Sequence, residues 1–458
     1  MSVVVLEEGR RHLVEEFRSQ PALERFGALY RDGATTVALG SPPILLPLGR
    51  AVGGTTVVNS GTCYRTPERV LARWRERHGL EMADSLRFGA LLDEIEQTLA
   101  VAPVRDEVMG NNGRIALRGA ERLGWSAHPI RRNAPGCHGC CQCAVGCPEN
   151  AKFGVHLSVL PAACAAGAVI VSEARVERIL SGGGRASGVR ARRPDGSELE
   201  ILADLVFVAA GAIETPPLLR RSALGDHPQL GHNLAIHPAV SIGGWFSEPV
   251  CATEGVLQSA GVDEFHDSDG ILIEATSAPA GLGSIVLPGT GRSLADQLAR
   301  IDHLATIGAM VADAPSGWVH GWGGRPVIRY TLARRDATRL LKAIGVMGRI
   351  LFAAGAEDVV TGIRGHERVR NEEDLEAALR AAKVEQLHLA AFHPTGTARM
   401  GREPETHPVD PNGRLRGVEG VYVVDASILP TCPEVNPQLT IMALVKGVTE
   451  EALAGSSG

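Results

Sequence analysis

The chain has 458 residues, 44% of them apolar and 21% charged, and a formal charge of −6. That length is too great for one simple core and argues for two domains. The mild acidity argues against an electrostatic nucleic-acid or membrane partner.

The opening valines close on Leu6, Glu7, Glu8 and Gly9, which reads as a β-strand ending in an acid. The second strand of a dinucleotide-binding unit ends this way, about 20 residues after a glycine-rich phosphate loop. The spacing therefore predicts that about 30 residues, with the first strand and that loop, are missing ahead of residue 1. A charged helical stretch follows, and then the run "LPLGRAVGGTTVVNSGTCYR". Gly49, Gly53 and Gly54, followed by small hydroxyl residues and Asn59, predict backbone passing close to a bulky ligand. From Thr66 to about Leu123 the periodicity is that of amphipathic helices.

Five of the nine cysteines then fall within "GCHGCCQCAVGCPENAK", too clustered for a secreted disulfide framework. Cys137, Cys140, Cys143 and Cys147-Pro148 stand at C-x2-C-x2-C-x3-C-P, the run of bacterial ferredoxins. The spacing points to a soft metal, an iron–sulfur cluster before zinc, with reduced thiols or a disulfide as the alternative. An iron–sulfur cluster would make the protein a dehydrogenase passing electrons to an external acceptor.

Residues 168–180 read as a strand, and two further strand-like runs follow. The second of these, "DLVFVAAGAIETPPLLRRSALG", reads as a strand, a Gly-Ala turn and a helix capped by Thr215 with Pro216 at its first position. The middle stretch holds strand-like "GILIEAT", "GSIVLP" and "PVIRYTL" and a helix over 335–354. "GTGRSLADQL" begins like a phosphate loop but has Leu294 in place of the third glycine. No segment is apolar enough to cross a bilayer, and no leader is visible; a cytoplasmic location is favoured, or a periplasmic one if a leader was lost.

Four separated segments thus place small residues and turns beside an apolar strand, as needed to line one long dinucleotide. Together with "FHPTGTARMG", "VYVVDASILP" and "NPQLT" they resemble the glucose–methanol–choline family of FAD oxidoreductases. The resemblance implies an α/β fold: a discontinuous Rossmann-like FAD domain (1–75, 151–240, 386–458), a helical, cysteine-rich cap (76–150) and an α+β substrate domain (241–385). It implies that Glu7 binds the adenosine ribose and that Arg50, Gly53, Gly54, Thr55 and Asn59 follow the pyrophosphate and flavin. Val176 meets the adenine, Gly211 and Ala212 close over the cofactor, and Asp425 and Ala426 reach the ribityl–pyrophosphate region. Pro437 and Thr440 begin a C-terminal helix whose dipole faces the flavin.

His393 matches the family's catalytic histidine and Asn436 its second active-site position. The chemistry agrees: alcohol oxidation needs a hydride acceptor, which flavin provides, and a group of suitable basicity for the hydroxyl proton. Asn436 is expected to donate a hydrogen bond to the substrate oxygen. His388 is expected to pack, and His237 to be a turn residue near the flavin. Aromatic content of 4% gives few stacking platforms for sugars and favours an apolar alcohol. The electron acceptor is oxygen, a quinone or a redox protein. The rival readings are a family member that no longer holds FAD and an electron-transfer subunit.

Overall fold

Strand Val4–Leu6 runs parallel to Val169–Val171, and strand Val206–Val208 runs parallel to Val421–Val423. This computed structural model describes residues 2–282, 287–322 and 324–456. The second strand pair is buried, as valine-rich parallel strands usually are, whereas Val4 and Val169 of the first pair are exposed. Beside them an antiparallel meander of Arg175–Gly182, Arg185–Arg192 and Glu198–Leu202 follows the two turn signals "SGGGR" and "RPDGS".

The run 168–180, expected as one strand, is two strands in different sheets. Glu173 takes a left-handed φ of 54° between them, and the turn is pinned by Glu173 N donating to Gly9 O and Ala174 N donating to Glu7 O. The helix expected to start at Thr215 instead spans Gly211–Arg221, with Pro216 and Pro217 inside it. Pro216 lacks the N–H that would reach Ala212 O, and the Thr397 hydroxyl donates to that carbonyl at 2.6 Å instead. Thr215 is no cap; its hydroxyl donates to Asp425 Oδ2 at 2.6 Å.

The larger sheet has seven strands. Its central members are Ala239–Trp245, Leu304–Val311, Ile271–Thr276 and Gln258–Val262, all antiparallel neighbours. Helices Asp106–Arg122 and Arg334–Ala354 pack on one face, and their alternating apolar residues build the main core with Ile242, Ile273 and Ile307. Strand Ala127–Pro129 adds to the edge of this sheet, whereas helix Ser85–Thr98 packs against the C-terminal helix Gln438–Ser456. The segment 76–150 is therefore shared between the two halves of the molecule. The run "GSIVLP" lies mostly outside the described residues, and "GTGRSLADQL" forms helix Gly291–Leu298 with its preceding turn. Among the described residues no helix is long and apolar enough to cross a membrane.

Candidate functional site

A cavity of about 1870 Å³ is walled by strand residues Val4–Leu6 and Val206–Val208. Of the residues expected to line a cofactor, it brings together Glu7, Gly54, Thr55, Val176 and Gly211. Gly54 and Gly211 have φ of 55° and 82°, and a Cβ on either would meet nothing within 4 Å. Both turns thus offer bare backbone to the cavity in a conformation that other residues adopt only under strain. Glu7 Oε1 accepts from Gly9 N at 2.7 Å, and burial pushes its carboxyl up from the usual range. Arg50, Gly53, Asn59, Ala212, Asp425, Ala426, Pro437 and Thr440 do not line this cavity.

Several of those residues hold the walls instead. Asp425 Oδ2 accepts from Gly211 N at 2.9 Å and from Thr215, while its Oδ1 accepts from Ser427 N at 2.7 Å. Its carboxylate is spent on fixing the Gly211 turn. Asn59 donates to Gln438, and Thr440 shares a hydrogen bond with Thr66 at 2.8 Å. Pro437 precedes the first helical residue, Gln438.

Residues that sequence reading passed over complete these walls. Arg31 pairs with Glu8 and, at 3.3 Å, with Glu214; Arg175 approaches the same two acids at 3.7 and 3.8 Å. All four line the cavity. Lys152 is buried and its ammonium donates to Thr56 O, Val57 O and Asn59 O, clasping the turn that follows Gly53. Burial pulls Lys152 down to about 8.

His393 lies where the chain descends from the larger sheet, and its Nδ1 is 3.0 Å from His237 Nδ1 with the rings perpendicular. His237 Nε2 is in turn 2.6 Å from Cys432 Sγ. His237 holds a left-handed φ of 52°, which Asp313 supports by accepting from Ile236 N and His237 N at 3.0 Å each and from the Tyr330 hydroxyl at 2.8 Å. Burial holds His393 down at about 4 and His237 well below its ordinary value, so both rings are neutral near pH 7.

Two neutral rings and one thiol share two hydrogens in this chain, which leaves two arrangements. In one, the thiol donates to His237 and His393 carries its hydrogen on Nε2. In the other, His237 Nε2–H donates to sulfur, His393 Nδ1–H donates to His237, and His393 Nε2 keeps a free lone pair. The second arrangement is the one that leaves His393 able to accept a proton at Nε2.

Asn436 stands four residues beyond Cys432 in the same loop. Asn436 is buried, and its Oδ1 has no partner within the protein. His388 is exposed rather than packed, because the inward-facing Leu387 and Leu389 turn it outward.

An iron–sulfur cluster in the cysteine segment is not supported. All nine cysteines are free. Among the described residues, the set whose ligand atoms lie within 4.8 Å of one another is His237, Asp313 and Cys432, not the quartet Cys137, Cys140, Cys143 and Cys147. The buried Arg132 guanidinium donates to Cys143 Sγ at 3.1 Å and lies 3.8 Å from Cys137 Sγ, putting a fixed positive charge where an ion would compete. Its Nε donates to Ser60 O at 3.0 Å, so the segment braces the run before Cys63.

The sequence profiles of the GMC oxidoreductase family match residues 26–239 and 323–444. A GMC-type oxidoreductase of Mycobacterium tuberculosis is 60% identical over 454 residues, covering 99% of this chain and 72% of that protein. A long-chain-alcohol oxidase of Arabidopsis thaliana is 28% identical, covering 97% of this chain and 63% of that protein. The crystal structure of pyridoxine 4-oxidase from Mesorbium loti superposes with a TM-score of 0.74 at 18% identity, covering 98% of this chain and 94% of the other. Formate oxidase of Aspergillus oryzae does so at 0.73 and 15%, covering 99% and 94%. The fold thus belongs to a known architecture, and the chain is a member of the glucose–methanol–choline (GMC) oxidoreductase family.

Proposed function

We propose that this chain oxidises an alcohol to a carbonyl compound, with FAD as hydride acceptor and His393 as proton acceptor. The observation that carries the reading is the buried chain from His393 through His237 to Cys432. Burial keeps His393 neutral at physiological pH, and with Nδ1–H donating to His237 its Nε2 lone pair is free, which is what a base toward a hydroxyl needs. Nδ1–H of His393 stays bonded to His237, so the proton gained at Nε2 creates an imidazolium that already has one partner.

The cavity supports FAD as the cofactor. Glycine turns at 54 and 211 leave room for close backbone approach, and Glu7 keeps Oε2 available for ribose hydroxyls. Arg31 and Arg175 stand in the same wall, where their guanidinium groups, held by Glu8 and Glu214, can donate to a pyrophosphate. When bound, FAD supplies the hydride acceptor, and the residues above bind it and keep the proton path dry.

The test is anaerobic titration of the FAD-loaded protein with primary and secondary alcohols, followed by loss of the visible flavin band. Bleaching by an alcohol, and its loss in His393→Ala with FAD still bound, is the expected result. Protein that takes up no FAD, or a variant that bleaches at the wild-type rate, would sink the reading.

A further inference from the structure

One outer face of the protein is apolar and basic at once. Strands Gly317–Trp322 and Arg325–Arg329 pair antiparallel, and Leu39 bridges Arg329 from the far side. Val37–Ala38 then pairs with Ile44–Leu45, and Leu45 bridges Ala390. The backbone is thus joined from Trp318 to the segment that carries His393. Alternation along these strands sets the two faces. Val319, Ile328, Ala38, Ile44 and Ala391 enter the main core, so Trp322, Arg325, Arg329, Leu39 and Phe392 point the other way.

The outward residues are bare. Trp322 is 80% exposed, Leu39 56% and Phe392 53%. Among the described residues no other Trp, Tyr or Phe is exposed. Large apolar side chains gathered on one face mark a site of interaction. The charges beside them are equally one-sided. Segments 33–67, 314–335 and 387–402 contain no Asp or Glu, and the acids that flank the middle one, Asp313 and Asp336, are buried. Arg325, Arg329, Arg334 and Arg335 are all exposed. Among the described residues none of these four is ion-paired; Asp336 pairs with Arg339 instead. Elsewhere Arg65, Arg69, Arg73 and Arg75 each hold a carboxylate. Arg334 and Arg335 also open helix Arg334–Ala354, the end where the helix dipole disfavours cations, so stability does not account for them.

We propose that this face docks on an anionic lipid bilayer, with Trp322, Leu39 and Phe392 entering the headgroup layer and the arginines meeting lipid phosphates. An arginine stem lies along apolar surface while its planar head donates to phosphate, so each cation serves both halves of such a contact. Aromatic rings beside basic residues are what interfacial anchoring uses. A polyanion without an apolar layer would engage the arginines alone, and an apolar protein face would leave them unpaired. The net charge of −6, which argued against an electrostatic membrane partner, averages over this local reversal. Because Phe392 directly precedes His393, docking brings the histidine segment to the bilayer surface. The inference stands independently of the oxidation reading.

The test is sedimentation of the full chain with vesicles of phosphatidylcholine, alone or with about one third phosphatidylglycerol. Binding to the anionic vesicles is expected to be at least about ten-fold tighter, and to weaken as salt is raised. Arg325→Gln with Arg329→Gln should remove about ten-fold of that affinity and spare the weak binding to neutral vesicles. Trp322→Ser with Leu39→Ser should weaken binding to both, whereas Leu86→Ser, on the exposed side of helix Ser85–Thr98, should change neither. Lipids brominated in the acyl chain test the wild type without any substitution: they should quench tryptophan emission, and Trp322→Phe should abolish most of the quenching. Absence of binding to anionic vesicles overturns the proposal, as does equal binding to both kinds or binding that neither variant pair weakens. Self-association that shields Trp322 without lipid, as protein concentration rises, gives the face to a second copy and overturns it too.

Discussion

Five thiols crowd into residues 137–147, and one thiol, Cys432, stands alone beside a histidine. The crowded set is conspicuous as a motif, yet the buried guanidinium of Arg132 holds two of its sulfurs and the segment serves as a brace. The lone thiol has no motif around it, yet it is joined through His237 to the proposed base. A cysteine's role is set by the charge and hydrogen bonds that face it, and these come from residues distant in sequence.

The contrast can be broken at several points. The largest effect belongs to the base itself: His393→Ala should lower the rate of flavin reduction by about 10²–10⁴ while leaving the cofactor bound, as read by stopped-flow absorbance. The pH profile of kcat/KM tests the same site. Because burial holds His393 at about 4, its basic form is lost only as pH falls through that value. The profile should therefore be flat between about pH 5 and pH 8. A midpoint near the ordinary histidine value of about 6.5 would show that the ring is not sealed.

Next comes the brace. Arg132→Met should cost about 3 kcal/mol in denaturant unfolding, because Ser60 O and two thiols lose a buried charged donor. An unchanged midpoint would show that the cysteine segment holds nothing. Smaller again is Cys432→Ala, which removes the acceptor from His237 Nε2 and lets the pair adopt either tautomer. Flavin reduction should slow by about ten-fold, with Cys432→Ser restoring most of it. The ¹⁵N shifts of the two rings report the tautomer directly. The smallest effect is expected for Cys140→Ser with Cys147→Ser, within about 0.5 kcal/mol in stability. Iron that co-purifies with the wild type and is lost in this pair would reverse the comparison.

Part of the cavity wall was legible because bare backbone demands a particular residue. Gly54 and Gly211 announce themselves, and Glu7 closes a recognisable strand. What surrounds them was not legible. Arg31, Glu214 and Arg175 meet from three segments, and Lys152 finds the carbonyls of Thr56 and Val57 nearly a hundred residues back in the chain. Thr215-Pro216 misled for a local reason: the dipeptide is a good helix start, and only Thr397, 182 residues later, supplies the donor that lets the prolines sit inside the helix.

That last bond has a further consequence. Gly231 N donates to Thr397 O, Gly396 N to Ala426 O and Ala398 N to Ser427 O, so the stretch after His393 is laced to both sides as well as to Ala212. The Gly211 turn and the histidine-bearing segment therefore form a single opening unit, with no slack linker between them. Amide protons on either side should exchange with solvent at matched rates, and a molecule that clamps the turn should slow exchange at Gly396 and Ala398 without touching them.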